Sequence, residues 1–139
     1  MRRAPVIVDT NIVVAGLLTA NAASPVAVVL DGMLNAAFSF VLSEPLLAEY
    51  RNVIGRPHLR KLHGLTLTEI DLILTDIAQH ATVLSPAPGP LAPDPGDQML
   101  WDLLASRTDL RLITGDKRLL TDLPMTGRVI SARAFDEDV

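Results

Sequence analysis

An apolar strand that ends on a carboxylate is the feature that most constrains this chain. Residues Val6 to Val8 read VIV, a β-branched run with no polar residue on either face, and Asp9 follows at once. A strand without polar alternation is typical of a sheet that is covered on both sides. The segment LITGD, which ends at Asp116, repeats the design near the other end of the chain. The chain is therefore expected to form a layered α/β fold.

The rest of the chain alternates between apolar strands and amphipathic helices. We predict strands over residues 4–9, 37–42, 81–84, 110–114 and 128–131. We predict helices over residues 11–18, 24–35, 43–57 and 97–106, a further helix from Thr68-Glu69 and a short one from Asp116. The proline-rich segment 85–96 is predicted to be an extended loop, and the acidic tail AFDEDV is expected to fray. Strands that alternate with helices favour a mostly parallel sheet, in which ligands bind beyond the carboxyl ends of the strands.

Length and composition indicate one domain in the cytoplasm. The chain has 139 residues, enough for a single core, and we expect residues 1–139 to form one domain. Asp9 and Asn11 interrupt the first apolar segment, which argues against a secretion signal, and no apolar run approaches the roughly 20 residues that span a membrane. The chain has no cysteine, which excludes disulfides, thiol nucleophiles and cysteine-bound zinc. Its net charge of −4 excludes a globally basic nucleic-acid binder.

Three aspartates stand at junctions where α/β proteins place their chemistry. Asp9 and Asp116 each follow a strand, and Asp97 falls in the first turn of a helix. Each also has a structural alternative, because aspartate is a favoured N-cap and a first-turn aspartate gains about 0.3–1 kcal/mol from the helix dipole. Asp94 precedes a Pro-Gly turn and is either a turn residue or an outer contact of the same site. Asn11 is either a cap or an amide that lines the same crevice.

Glu49 is the most informative carboxylate inside a helix. It lies at the edge of an apolar stripe, between Leu46 and Val53, and not on the far face of the helix. A carboxylate at such an edge either approaches a buried site or only reaches along the stripe to solvent. Asp102, by contrast, is expected to be solvated, since it lies about 140° around its helix from Asp97.

Carboxylates from these positions would not stay charged side by side without a counter-ion. Two unit charges about 5 Å apart repel by roughly 3 kcal/mol at an effective dielectric constant near 20. A ligand set of oxygen atoms, with no cysteine and no suitably spaced histidine, selects a hard ion such as Mg²⁺ or Mn²⁺. One or two such ions can activate a water and stabilise an in-line phosphodiester displacement. If the acids converge, they therefore predict metal-dependent phosphodiester chemistry.

Four motifs follow one another in an order that is typical of one nuclease family. They are DTN after the first strand, the helical SEPLLAEY, then DPGDQMLWDLLA, and finally LITGDKRLL. With these motifs the chain resembles the PIN-domain ribonucleases from about Val6 to Ile130. It is most similar to the group of PIN domains that are toxin components of toxin–antitoxin pairs (VapC-like).

This resemblance implies a fold, an activity and a set of site residues. The implied fold is an α/β/α sandwich of three layers with about five parallel strands, and the implied activity is endonucleolytic cleavage of RNA with Mg²⁺ or Mn²⁺. The catalytic and metal-binding roles fall on Asp9, Glu49, Asp97 and Asp116. Supporting roles fall on Asn11, Thr114 and Ser43, while Asp94 competes with Asp97 for the third acidic position. Many such toxins form homodimers or higher oligomers, and a cognate antitoxin silences them.

A pocket of carboxylates repels RNA, so substrate binding needs cations besides the metal ions. The window RNVIGRPHLRKLH is rich in basic residues and has no acid. Its cations and the two basic neighbours of Asp116 are candidate RNA contacts: Arg51, Arg56, Arg60, Lys61, Lys117 and Arg118. The alternative is that these side chains are only solvated. No aromatic-plus-basic stacking motif predicts sequence-specific reading of RNA.

Two other classes of protein compete with the nuclease. A catalytically silent α/β module that acts only through protein contacts fits, because every acid has a capping alternative. A phosphorelay receiver is also a small doubly wound domain with a phospho-accepting aspartate and Mg²⁺, but it needs adjacent acids after the first strand. Here a single aspartate follows that strand. The intact set of four acids favours the nuclease.

Overall fold

The computed structural model describes residues 4–120 and 128–137. The strands in this part of the chain are β1 (Val6–Val8), β2 (Val41–Leu42), β3 (Thr82–Val83), β4 (Arg111–Ile113) and β5 (Val129–Ile130). The helices are α1 (Thr10–Leu18), α2 (Pro25–Asn35), α3 (Glu44–Ile54), α4 (Pro57–His63), α5 (Leu67–His80), α6 (Gln98–Ser106), α7 (Lys117–Leu120) and α8 (Ala132–Glu137). A 3₁₀ turn, Pro95–Asp97, precedes α6. Within the described residues, none of these helices has the length and apolar character that crossing a membrane requires.

All strand pairings among the described residues are parallel. β4 lies between β1 and β5, β2 pairs with β3, and a bridge between Val6 and Phe40 connects the two groups. The order across the sheet is therefore β3-β2-β1-β4-β5, and it reverses direction between β1 and β4. Receiver-type domains have the order β2-β1-β3-β4-β5, so this topology excludes the receiver alternative.

The central strand β1 lies inside the hydrophobic core. All three of its residues are buried, and because successive side chains of a strand point to opposite faces, both faces of the sheet are covered. α6 packs against β1 and β4, whereas α2 packs against α1, α5 and α8. The register pairs Val8 with Ile113, so the residues that follow them, Asp9 and Thr114, leave the sheet side by side. The predicted layered α/β fold is confirmed.

Several element boundaries differ from the predictions. The helix predicted over residues 43–57 ends at Ile54, and Pro57 begins a separate helix, α4, because proline is favoured in a first turn and not inside a helix. α5 is capped by Thr66 and not by Thr68: the Thr66 hydroxyl accepts a hydrogen bond from the Glu69 N–H at 3.1 Å. The strands are also shorter than predicted.

The end of the described chain is helical. Phe135 in α8 is only 2% exposed, and its ring makes an edge-to-face contact with Phe38 at a centroid distance of 5.0 Å. The prediction that the tail AFDEDV frays is therefore wrong as far as Glu137, and residues 138–139 lie outside the described residues. The buried ring of Phe135 packs this acidic segment against the core. The charge of the segment alone does not predict this packing.

Candidate active site

The predicted carboxylates line one open pocket at the carboxyl end of the sheet. The pocket has a volume of about 450 Å³, and its lining includes Asp9, Glu49, Asp97 and Asp116. Asp9 follows β1 and Asp116 follows β4 by three positions, so these two come from neighbouring strands where the strand order reverses. Glu49 comes from α3, and Asp97 comes from the turn before α6. Side chains far apart in the sequence are thus brought together.

Asp9 is buried at the end of β1 and is held by a side chain that follows β4. It is 8% exposed, and its Oδ2 accepts a hydrogen bond from Thr114 Oγ1 at 2.7 Å. Although Asp9 occupies the N-cap position of α1, its side chain makes no capping hydrogen bond. The capping alternative therefore does not account for this carboxylate.

Two polar side chains connect the β1–α1 junction with the β4–α7 junction. The fully buried Thr114 donates to Asp9, and its Oγ1 also accepts a hydrogen bond from the Asp116 N–H at 3.0 Å. Asn11 Oδ1 accepts a hydrogen bond from the Gly115 N–H at 3.3 Å. These contacts hold the two junctions at a fixed spacing.

Glu49 is positioned by its neighbour in the sequence. Tyr50 is buried, and its hydroxyl donates a hydrogen bond to the carbonyl oxygen of Val8, the last residue of β1. This bond ties α3 to the end of β1 and carries Glu49 to the pocket. Thr10, the first residue of α1, lines the pocket as well. The sequence patterns did not single out Tyr50 or Thr10, because a tyrosine on an apolar stripe and a threonine at a helix start have ordinary structural explanations.

Asp94 and Asp97 occupy different places. Asp97 lies at the N-cap position of α6, makes no capping hydrogen bond and lines the acidic pocket. Asp94 Oδ1 accepts a hydrogen bond from the Gly96 N–H at 2.9 Å and so closes the turn before α6. It lines a smaller cavity, of about 140 Å³, with Asp97 and Arg118. Of the two aspartates, Asp97 is therefore the one that the structure brings to the other carboxylates.

The proline-rich loop that leads to Asp97 is tied to α6. Asp102 Oδ1 accepts hydrogen bonds from the Gly89 N–H at 2.7 Å and from Gln98 Nε2 at 2.9 Å. Gln98 in turn accepts a hydrogen bond from the Ala92 N–H at 2.9 Å. The expectation that Asp102 is solvated is wrong, because the position of a residue around a helix does not reveal that a loop folds back onto it.

Asp116 has a cation beside it. Arg118 Nη2 lies 3.1 Å from Asp116 Oδ2, and the Arg118 N–H donates to Asp116 Oδ1 at 2.9 Å. The same guanidinium lies 3.8 Å from Asp94. The hydrogen bond from the Arg118 side chain is the main reason why the pKa of Asp116 is lowered from its ordinary value.

The other three carboxylates of the pocket have raised pKa values. Burial is the largest cause for Asp9, Glu49 and Asp97. Repulsion from Asp9 is the next cause for both Glu49 and Asp97. The hydrogen bond from Thr114 offsets part of the rise in the pKa of Asp9. Negative charge is therefore disfavoured at these three positions, and a cation bound beside them would reduce that penalty.

The candidate RNA contacts are distributed over separate surfaces. Arg56 lines the acidic pocket. Arg51 pairs with Asp71 at 2.8 Å in an apolar groove of about 610 Å³ between α3 and α5. Arg60 and Lys61 line another cavity, between the end of α4 and the start of α5. Arg56 therefore lies at the carboxylates, as Arg118 does beside Asp116, whereas Arg51, Arg60 and Lys61 line other surfaces.

Two further candidates, Ser43 and Lys117, do not belong to the lining of the acidic pocket. Ser43 caps α3, since its Oγ accepts a hydrogen bond from the Leu46 N–H at 3.3 Å, and it lines a separate cavity with residues such as Leu84. The structure therefore does not bring Ser43 to the carboxylates. Lys117 is exposed and directly follows Asp116 at the start of α7.

The donor set of the pocket fits a hard divalent ion. In residues 4–120 and 128–137, no three acidic or histidine side chains stand close enough to surround one ion. Mg²⁺ does not require such a cage, because it keeps several waters and is usually held by one or two carboxylates together with substrate phosphates. The oxygen donors of the pocket and the raised pKa values of three of its acids suit an ion of this kind.

Fold and pocket together define a small parallel α/β domain with an acidic crevice where the strand order reverses. A family model described as the PIN domain matches residues 5–118, which include all four carboxylates of the pocket. The chain therefore belongs to the PIN-domain family. PIN domains are typically nucleases and generally use divalent metal ions. No curated protein matches the chain.

Proposed function

We propose that this PIN domain, taken as residues 1–139, is an endoribonuclease that depends on Mg²⁺ or Mn²⁺. The observation that carries the proposal is the shared pocket of four carboxylates. Three of them have pKa values raised by burial and by mutual repulsion, which a divalent cation would relieve. Membership of the PIN-domain family supports nuclease chemistry in general.

The residues of the pocket divide into metal-holding and positioning groups. Asp9, Glu49, Asp97 and Asp116 would hold one or two ions, each bound directly by one or two of these carboxylates and otherwise by water and substrate phosphates. A bound ion would polarise the phosphodiester and lower the pKa of the attacking water. Thr114 keeps Asp9 oriented through its hydrogen bond, and Tyr50 keeps α3 and Glu49 against the end of β1. Arg56 would attract the RNA phosphates that the carboxylates repel.

The test is cleavage of a generic single-stranded RNA with Mn²⁺ or Mg²⁺ by three variants. Asp9→Asn and Asp97→Asn keep the shape of the side chain but remove its charge, and both should lower cleavage by at least about 100-fold, since outer contacts of a metal site already cost 10–100-fold. Asp76→Asn changes an exposed aspartate on α5 and should leave cleavage unchanged. Chelation should abolish activity. Normal cleavage by both Asp9→Asn and Asp97→Asn would reject the proposal.

We further propose that this nuclease is the toxin of a toxin–antitoxin pair, acting in the cytoplasm as a homodimer or a higher oligomer. The support is the similarity of its four motifs to those of VapC-like toxins. Induced expression should then arrest growth, Asp9→Asn should not, and a small DNA-binding protein encoded immediately upstream should relieve the arrest when it is co-expressed. Growth arrest by the Asp9→Asn variant would show that toxicity does not depend on the pocket.

A catalytically silent interaction module is the second candidate. The observation in its favour is that Arg118 already neutralises Asp116. The two functions differ in their response to metal, because a ligand that binds the folded state raises its melting temperature (Tm). Millimolar Mn²⁺ should raise the Tm of the nuclease and leave that of a silent module unchanged.

A further inference from the structure

Thr10 is a buried polar residue for which the fold has no evident use. It is the first residue of α1 and is 4% exposed. Its Oγ1 is buried and has no hydrogen-bond partner among the described residues. A threonine inside a helix can donate to a carbonyl of the preceding turn, but Thr10 has no helical turn before it. An unpaired buried hydroxyl lowers stability, so its presence calls for a role outside folding.

A second threonine at the equivalent junction shows what such a hydroxyl can do. Thr114 directly follows β4, whereas Thr10 follows β1 by two positions. The Thr114 hydroxyl donates a hydrogen bond to Asp9 and accepts one from the Asp116 N–H. Thr10 is nearly as buried and lines the same pocket, yet its hydroxyl lacks both kinds of partner in the described part of the chain.

Glu49 is the neighbouring residue to which the Thr10 hydroxyl can donate a hydrogen bond. Both residues line the acidic pocket. The Thr10 side chain lies close enough to the Glu49 carboxylate to lower its pKa, but it falls short of complete hydrogen-bond geometry. Glu49 stands on a helix that is held to β1 through Tyr50, and Thr10 is the side chain of the pocket that interacts with its carboxylate by hydrogen bonding.

We propose that Thr10 is a positioning residue for Glu49: its hydroxyl donates a hydrogen bond to the Glu49 carboxylate when that carboxylate binds a divalent ion. The inference rests on the proposed metal-dependent function and names a residue beyond the four acids. The hydrogen bond selects which carboxylate oxygen faces the ion, and it gives the buried hydroxyl its missing partner. Thr114 acts on Asp9 in the same way.

The test measures Mn²⁺ affinity by electron paramagnetic resonance, independently of RNA cleavage. Thr10→Val removes the hydroxyl at nearly constant shape and should weaken binding by about 10-fold, as loss of an outer contact of a metal site typically does. Thr10→Ser keeps the hydroxyl and should bind within about threefold of the wild type, well inside the 10–100-fold cost of losing such a contact. Thr68→Val, at an exposed threonine of α5, is the matched control and should bind normally.

Two further measurements separate positioning from a merely structural role. In the metal-free protein, Thr10→Val should melt at the same temperature as the wild type or higher, because it removes an unpaired buried hydroxyl. In a Glu49→Ala background, Thr10→Val should cause no further loss of Mn²⁺ affinity, since Thr10 acts through Glu49. A lower Tm for Thr10→Val, or an additive loss in the double variant, would overturn the inference.

Failure of the inference and failure of the proposed function have different signatures. If the wild type binds no Mn²⁺, the metal-dependent function is rejected, and the inference falls with it. If the wild type binds Mn²⁺ and Thr10→Val binds it equally well, the inference alone is rejected.

Discussion

Asp9 and Asp116 occupy matching strand-to-helix junctions, yet their carboxylates are in opposite electrostatic situations. Asp9 is buried, accepts a hydrogen bond from Thr114, has no ion pair among the described residues and has a raised pKa. Asp116 is partly exposed and paired with Arg118, and its pKa is lowered. The apolar strand and the aspartate after it determine where each carboxylate lies. Burial and the presence of a cation determine how readily it stays charged.

This difference indicates which side of the pocket gains most from a divalent ion. Asp9, Glu49 and Asp97 repel one another at partly or fully buried positions, so a cation beside them relieves an existing penalty. Asp116 already has a guanidinium as its partner. We therefore expect Asp9 to dominate both metal binding and the pH dependence of stability.

The largest effect is expected when the two junctions are compared by RNA cleavage. Asp9→Asn should lower the cleavage rate by at least about 100-fold, and Asp116→Asn by about 10-fold, within the range that loss of contacts at a metal site causes. The measurement is single-turnover cleavage at saturating Mn²⁺. An equal or larger loss for Asp116→Asn would show that burial does not determine which of the two carboxylates contributes more to the cleavage rate.

Smaller effects are expected in the pH dependence of stability of the metal-free protein. They should have opposite signs for Asp9→Asn and Asp116→Asn. A carboxyl with a raised pKa contributes stability that is present below its ordinary pKa, 3.8 for Asp9, and lost as the pH rises through its folded value. Asp9→Asn should therefore melt above the wild type at neutral pH, with a difference that shrinks toward acid pH.

Asp116→Asn is the matched control for this titration. A lowered pKa contributes stability above the ordinary value of 3.8 and loses it as the pH falls. This variant should melt slightly below the wild type at neutral pH, and the difference should disappear in acid. Melting curves in the presence of a chelator measure both variants, and shifts of the same sign would contradict the assigned environments.

A weaker effect is expected from the cations around the pocket. Arg56→Gln should weaken RNA binding and reduce its logarithmic salt dependence by about one unit, because Arg56 lines the pocket. Arg51→Gln is the control, since Arg51 pairs with Asp71 in the apolar groove on the other side of α3. Reversing the charge of both Arg56 and Lys61 should enlarge the loss. If salt titrations of RNA binding give the same result for Arg56→Gln and Arg51→Gln, Arg56 does not contact the RNA and is only a solvated side chain.

The smallest effect is expected from Arg118, because its side chain is 76% exposed and exposed ion pairs are weak. Arg118→Ala should raise the pKa of Asp116 toward its ordinary value, which a carbon-13 titration of the Asp116 carboxyl can follow. The pKa of Asp9 should change less. A lowered Asp116 pKa that persists without Arg118 would mean that backbone donors, and not the ion pair, set its charge state.

The fold and the meeting of the acids were predictable from the sequence because they depend on local patterns. Apolar strands, helix caps and the rule that parallel strands end on the same edge are enough to bring Asp9 and Asp116 together. The edge position of Glu49 on an amphipathic helix left two interpretations open, and the resemblance to the PIN domains assigned it to the site. Each of these inferences uses residues that are close in sequence or equivalent in register.

The features that were not predicted depend on contacts between distant segments. The Tyr50 hydroxyl bonds to the end of β1, Asp102 receives the proline-rich loop, and Phe135 meets Phe38. The unpaired hydroxyl of Thr10 is likewise visible only when its surroundings are known. No periodicity or spacing encodes these contacts, because their partners lie far away in the chain.

The most direct test of the shared metal pocket is an anomalous-scattering map from crystals soaked in Mn²⁺. We predict a peak in the pocket, in contact with a carboxylate oxygen of Asp9 and lying between Asp9 and Asp116. The peak should be absent from crystals of Asp9→Asn. An empty pocket in fully soaked wild-type crystals, or Mn²⁺ bound only at other surfaces, would contradict the account.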